Sequence, residues 1–146
     1  MKSIVTGGAG FIGSHLVDRL LNLEHEVVVL DNFSTGRPEN LKHTDGKVKL
    51  VECDLSIKGE WIKEFDKVDW VFHLASLADI VPSIQNPEGY FCSNVDATFY
   101  VLEAARHANV KRFVYSASSS CYGIPDKYPT LEESDIRPQY PYALAK

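Results

Sequence analysis

The segment Thr6-Gly7-Gly8-Ala9-Gly10-Phe11-Ile12-Gly13 constrains this chain most, because it joins an apolar run to an amphipathic one with almost no side chain between them. Lys2–Thr6 reads as a short buried strand, and Phe11–Leu21 as a helix with Phe11, Ile12, Leu16 and Leu20 at helical spacing. Glycines placed this way allow a tight turn that brings backbone N–H groups and a helix N-terminus against a pyrophosphate. Gly8-x-Gly10-x-x-Gly13 also fits the general dinucleotide pattern, with a strand before it and a helix after it. Glu26–Leu30 then runs Val-Val-Val-Leu into Asp31, which reads as a fully buried parallel strand. An acid at that strand end can accept hydrogen bonds from both hydroxyls of a ribose. Its charge repels a 2′-phosphate, which favours NAD over NADP. Arg37 is the counter-signal, since an arginine nearby can receive that phosphate; the competing reading is a solvated loop cation.

Three more strands are read at Lys47–Glu52, Asp69–Leu74 and Arg112–Ser116. Helices are read at Ser56–Phe65, at Pro87–Ala108 with Pro87 in the first turn, and from Pro141 onward. Asn32–Asn40 and residues 119–138 read as loops. Strands alternating with helices predict an α/β fold, a Rossmann-type doubly wound parallel sheet. Right-handed crossovers place its strands in the order 3-2-1-4-5. The long helix carries Tyr90, Phe91, Val95, Phe99, Tyr100, Val101 and Leu102, which leaves it little polar face. A helix apolar almost all round must be covered on both sides, by the sheet on one and by another helix or subunit on the other.

Charge and composition exclude several classes. The net charge is −5 with no basic run, which argues against a nucleic-acid partner. No apolar stretch approaches the ~20 residues of a membrane span. Met1 is followed almost at once by a strand, so no signal peptide is expected. The three cysteines, Cys53, Cys92 and Cys121, are odd in number and widely spaced. They read as reduced thiols of a cytoplasmic protein, and their spacing is not that of a metal site.

The second concentration of chemistry lies near the end of the chain. Ser116-Ala117-Ser118-Ser119-Ser120-Cys121-Tyr122-Gly123 follows the fifth strand, and Tyr142-Ala143-Leu144-Ala145-Lys146 places a tyrosine and a lysine on one helix face. A free tyrosine, with a pKa near 10, is a poor base at neutral pH. A neighbouring ammonium favours the phenolate. Glycine loop, acid, serine and Tyr-x-x-x-Lys, in that order, resemble the extended short-chain dehydrogenase/reductases over the whole chain, and among them the NAD-dependent nucleotide-sugar epimerases.

The resemblance implies a residue-by-residue site. NAD would be held by Gly7, Gly10, Phe11, Ile12 and Gly13 at the phosphates, and by Asp31, Asn32, Ser34, Thr35 and Gly36 at the adenosine ribose. Asp54 and Leu55 would flank the adenine, and Leu74 and Ala75 would pack along the cofactor. Asn94 would support the site, and Tyr142 and Lys146 would reach the nicotinamide ribose. Catalysis would rest on Ser118, Tyr142 and Lys146. Tyr142 would take the proton of a sugar C4 hydroxyl while hydride passes transiently to NAD and returns to the other face. Members of the family continue well beyond this point, so residues 1–146 are expected to be a truncated NAD-binding domain without its substrate part and with little activity. A nucleotide sugar is the expected substrate, and a homodimer through the long helix and the Tyr–Lys helix the expected full-length assembly. Sugar-nucleotide 4,6-dehydratases of the same fold carry Asp-Glu where Ser119 and Ser120 stand here, which favours the epimerase. A decarboxylase, an NAD-binding-only chain and a subunit completed by another chain are the remaining alternatives. His73 reads as a hydrogen-bonded strand-end histidine rather than a catalytic one.

Overall fold

The structure, a computed structural model, describes all of residues 1–146. Its strands are β1 (Lys2–Thr6), β2 (Glu26–Asp31), β3 (Val48–Glu52), β4 (Trp70–His73) and β5 (Arg112–Tyr115). They form one parallel sheet in the order β3-β2-β1-β4-β5, the predicted order. Ile4 pairs with Val28 on one side and Val71 on the other. Successive residues of a strand face opposite sides. Ile4, Val28, Leu30 and Val71 therefore enter one core with Trp61, Phe65 and Val101. Val5, Val27 and Val29 enter the other with Val17 and Leu20. This is why Val27–Leu30 contains no polar residue: both faces of β2 are covered, and each fully buried valine contributes about 1.5–3 kcal/mol.

Helix α1 (Phe11–Asn22) covers the second of these cores, burying Val17 and Leu20. The first lies under a broken helix rather than one continuous rod. Pro87 opens α3 (Pro87–Phe91), whose N-terminus is capped by Asn86 accepting from the Gly89 N–H at 3.1 Å. A π-helical turn, Cys92–Asp96, follows, and then α4 (Ala97–His107). The wider turn re-aims side chains within an otherwise regular helix, and it carries the buried Asn94. α4 presses Val101, Ala104 and Ala105 onto the sheet core, while Phe99 and Leu102 remain 57% and 44% exposed.

Other expectations are corrected in detail. Ser56–Phe65 is not an α-helix; only Glu60–Phe65 coils, as a 3-10 helix behind Gly59. Trp61 and Phe65 anchor it, and a glycine in that stretch weakens the longer helix. The loop expected at Asn32–Asn40 passes into a 3-10 helix at Pro38–Thr44, which buries Leu41 and Thr44. A short helix α2 (Ile80–Gln85) occupies a stretch without a prior assignment. The serine segment winds into one 3-10 turn, Ser119–Tyr122, and the last helix, α5, spans Pro141–Leu144. No helix is long and apolar enough to cross a membrane.

His73 closes β4 inside the core, 1% exposed. Its Nδ1 lies 2.7 Å from Thr6 Oγ1 and its Nε2 2.9 Å from Thr98 Oγ1. Burial, and secondarily the Lys146 ammonium, hold the imidazole down at about 4. Because the folded chain keeps this ring neutral, its contribution is complete above the ordinary histidine range near 6.5 and is lost as pH falls from there towards 4. Unfolding free energy is expected to fall by up to about 1.4 kcal/mol per pH unit across that window. Urea titrations at a series of pH values check this, and His73→Gln should flatten the slope between the two limits.

Candidate functional site

A cavity of about 360 Å3 opens over the C-terminal ends of the strands. It lies where the chain order reverses between β1 and β4, the place where open α/β sheets form ligand crevices. One wall is the glycine turn. Gly7 has φ +66, a left-handed conformation that side chains disfavour, and its N–H donates to the Leu30 carbonyl at 2.8 Å. Gly13 is required by proximity instead: a Cβ there would stand 2.2 Å from the Gly7 carbonyl oxygen. The result is that α1 begins directly against the strand ends. Gly10 is its N-cap, no side chain caps it, and its first turn holds no acidic residue. The first N–H groups of a helix have no partners within it, so here they are open to an anion. Phe11 and Ile12 line the same opening and are largely exposed.

Asp31 forms the next part of the wall and is 6% exposed. Its Oδ2 accepts from the Ala9 N–H at 2.9 Å and its Oδ1 from the Phe33 N–H at 2.9 Å. The carboxylate thus ties the glycine turn to the segment Asn32–Gly36 and keeps lone pairs for a ligand. Asn32, Ser34, Thr35 and Gly36 all line the cavity, with Asn32 Oδ1 fixing the Ser34 N–H at 3.0 Å. Asp54 and Leu55 line it too; the Asp54 carboxylate is drawn onto Ser56, accepting from its N–H at 2.9 Å and its Oγ at 2.7 Å. Between these acids sits the Cys53 thiol, pushed up to about 11 by burial first and then by the charge of Asp31. It stays protonated and acts as an apolar patch. Arg37 is exposed and does not line the cavity.

The opposite wall contains Leu74 and Ala75 and continues through Ser76, Leu77 and Ala78. Ser93 and Ser116 also reach it. Only Leu74 and Ala75 of this wall were expected; the apolar continuation past the strand end was the available signal for Leu77 and Ala78. Ser93 carried no signal, because the π-turn decides which side of the helix it meets. Asn94 does not line the cavity. Its Oδ1 accepts from the Leu77 N–H at 2.8 Å and its Nδ2 donates to the Leu77 carbonyl at 3.0 Å, so it acts on the wall from behind.

Ser118, Tyr142 and Lys146 also stand outside the cavity lining. They gather beside its Ser116 end, where α5 packs on the Ser119–Tyr122 turn and on α2 and α3. The Lys146 Nζ donates to the Ser116 carbonyl at 2.6 Å and lies 4.8 Å from the centre of the Tyr115 ring. Burial lowers the pKa of this ammonium. The Tyr142 ring meets Tyr90 edge-on at 6.4 Å, and Tyr90 in turn donates its hydroxyl to the Ala78 carbonyl. Ser118 Oγ accepts from the Ser120 N–H at 3.2 Å, so its own proton is uncommitted. Lys146 lies beyond the end of α5, so one helix face does not by itself hold the pair together.

Comparison with known proteins places this geometry. The chain is 42% identical to the UDP-glucose 4-epimerase of Mycolicibacterium smegmatis, over 100% of its own length and 48% of the relative's. The UDP-N-acetylglucosamine 4-epimerase of Methanobrevibacter ruminantium, solved with UDP-N-acetylmuramic acid, superposes with a TM-score of 0.93 at 36% identity, over 99% of this chain and 46% of that one. The UDP-glucose 4-epimerase of Bifidobacterium longum, solved with NAD+ and UDP, superposes with a TM-score of 0.91 at 31% identity, over 100% of this chain and 46% of that one. The chain spans about half the length of the relatives it matches. With the family model matching residues 3–146 and a glycine turn, buried acid and strand-end cavity in one place, the chain belongs to the NAD dependent epimerase/dehydratase family.

Proposed function

We propose that this chain is the cofactor-binding portion of an NAD-dependent nucleotide-sugar epimerase, with NAD held in the strand-end cavity. One juxtaposition carries the reading: an uncapped helix N-terminus and a buried carboxylate, Asp31, face the same opening. The first offers N–H donors to a pyrophosphate and the second offers acceptors to a ribose diol. Gly7, Gly10, Phe11, Ile12 and Gly13 would hold the phosphates, Asn32–Gly36 the ribose, Asp54 and Leu55 the adenine, and Leu74 and Ala75 the far end. Bound NAD supplies a centre that accepts hydride from the sugar C4 and returns it.

The remaining work falls to side chains of the chain itself. Tyr142 removes the proton of the C4 hydroxyl, and Ser118, whose hydroxyl proton is uncommitted, orients that hydroxyl. Lys146 keeps donors beyond its bond to Ser116 for the nicotinamide ribose. Asn94 takes part through the Leu77 backbone. Ser119 and Ser120 offer hydroxyls only, and elimination of water needs an acid/base pair, so the epimerase is preferred to a dehydratase of the same fold. A nucleotide of the UDP type is the favoured carrier, given what the solved relatives bind. The three free cysteines accord with a reducing cytoplasmic setting. A homodimer is favoured by the apolar surface left on the long helix and α5: Phe91, Phe99 and Leu144 are 53%, 57% and 75% exposed.

Calorimetry is expected to show NAD binding more tightly than NADP. Asp31→Ala should weaken NAD about tenfold, the scale of lost charge-assisted hydrogen bonds, and should narrow the preference. Tighter binding of NADP by the parent chain would transfer the role to Arg37.

In a protein that also carries the sugar-nucleotide portion, Tyr142→Phe should lower kcat for C4 epimerisation by about 10²–10⁴, the usual contribution of a positioned base. NAD affinity should stay within about threefold of the parent, since only a hydroxyl is lost. Near-normal turnover would remove Tyr142 from the chemistry.

Sedimentation velocity tests the assembly. In a protein that also carries the sugar-nucleotide portion a dimer is expected, and Phe91→Glu, which puts a charge into the apolar depression shared with Val95, Pro141 and Leu144, should shift it to monomer.

A further inference from the structure

The hydrogen bonds behind the cavity have a determined direction. Thr6 Oγ1 accepts from the N–H groups of both Leu74 and Ala75, each at 3.1 Å. Its own proton therefore goes to its remaining neighbour, Nδ1 of His73, at 2.7 Å. With Nδ1 acting as acceptor, the neutral ring carries its proton on Nε2. Nε2–H donates to Thr98 Oγ1 at 2.9 Å, and Thr98 donates to the Asn94 carbonyl at 2.5 Å. Asn94 ends the chain by gripping both backbone groups of Leu77. No buried side-chain polar atom is left without a partner.

Both ends of this chain finish on backbone that lines the cavity: Thr6 leads into Gly7 and holds Leu74 and Ala75, and Asn94 holds Leu77. We propose that His73 is a positioning residue for the dinucleotide, which, as its Nε2–H tautomer, locks the glycine turn to the Leu74–Ala78 wall through Thr98 and Asn94. A residue that only filled space would be replaceable by any ring of similar shape, because His73 also stacks on Tyr115 at 5.9 Å and 22°. The assignment of one donor and one acceptor is what a phenyl ring cannot reproduce. Of the two walls His73 joins, the glycine turn is also held by Asp31 through the Ala9 N–H, whereas the Leu74–Ala78 wall opposite is not, so its effect falls on the nicotinamide end rather than the adenosine end. The inference rests on the reading of the cavity as an NAD site.

Calorimetry with NAD and with ADP-ribose, which lacks the nicotinamide, tests it in the 146-residue chain. His73→Phe is expected to weaken NAD about tenfold and ADP-ribose by less than about threefold. His73→Asn keeps an acceptor for Thr6 and His73→Gln offers a donor to Thr98, so each should recover part of the loss. Thr98→Val cuts the same chain without touching the ring and should give the same selective weakening; it decides the matter if His73→Phe does not fold. Equal loss of both ligands, or parent-like NAD affinity in His73→Phe and Thr98→Val, overturns the positioning role. If the parent chain binds neither ligand, the NAD reading falls and this inference with it; if the parent binds both and the variants match it, only the role of His73 falls.

Discussion

The structure depends first on a contact between two pieces of backbone. Gly13 sits so close to the Gly7 carbonyl that a single added carbon would lie 2.2 Å from it. That approach sets the first turn of α1 down on the ends of β1 and β2, and it leaves the helix N-terminus uncovered. A larger residue would lift the helix off the sheet, and with it the N–H groups that an anion would meet. The opening of the cavity and the seating of α1 on its core are therefore two consequences of one steric condition.

The sheet supplies the rigidity that makes this approach possible. Its central strands are covered on both faces, and alternate residues of β1 and β2 feed separate cores. Within so apolar a layer polar side chains are costly unless they are paired. At the strand ends beside the cavity they are paired with backbone or with one another. Asp31 holds the Ala9 and Phe33 N–H groups, Thr6 holds those of Leu74 and Ala75, and Asn94 holds both groups of Leu77. These bonds hold the loops that form the walls.

At the other end of the cavity the arrangement is looser in its determinants. Lys146 is held by the Ser116 carbonyl and the Tyr115 ring, while Tyr142 rests on Tyr90. α5 has only the span Pro141–Leu144, and helices so short depend on their tertiary contacts. Here those contacts are α2, α3 and the Ser119–Tyr122 turn. The serine, tyrosine and lysine are thus assembled by packing among several short elements, whereas the glycine turn is assembled by its own covalent geometry.

The same division separates what could be read from the sequence and what could not. Local rules were enough for the strands, their order, the glycine turn and the position of Asp31, since a strand, a tight turn and a helix start are each encoded within a few neighbouring residues. The cavity wall from Gly7 to Ala75 was legible for that reason. The tertiary structure alone decided the π-turn at Cys92–Asp96, the helix α2 and the collapse of Ser56–Phe65 into a 3-10 segment. It also decided that Asn94 faces the back of Leu77 and not the cavity, because the packed position of the broken helix, and no pattern in its sequence, determines which side each residue presents.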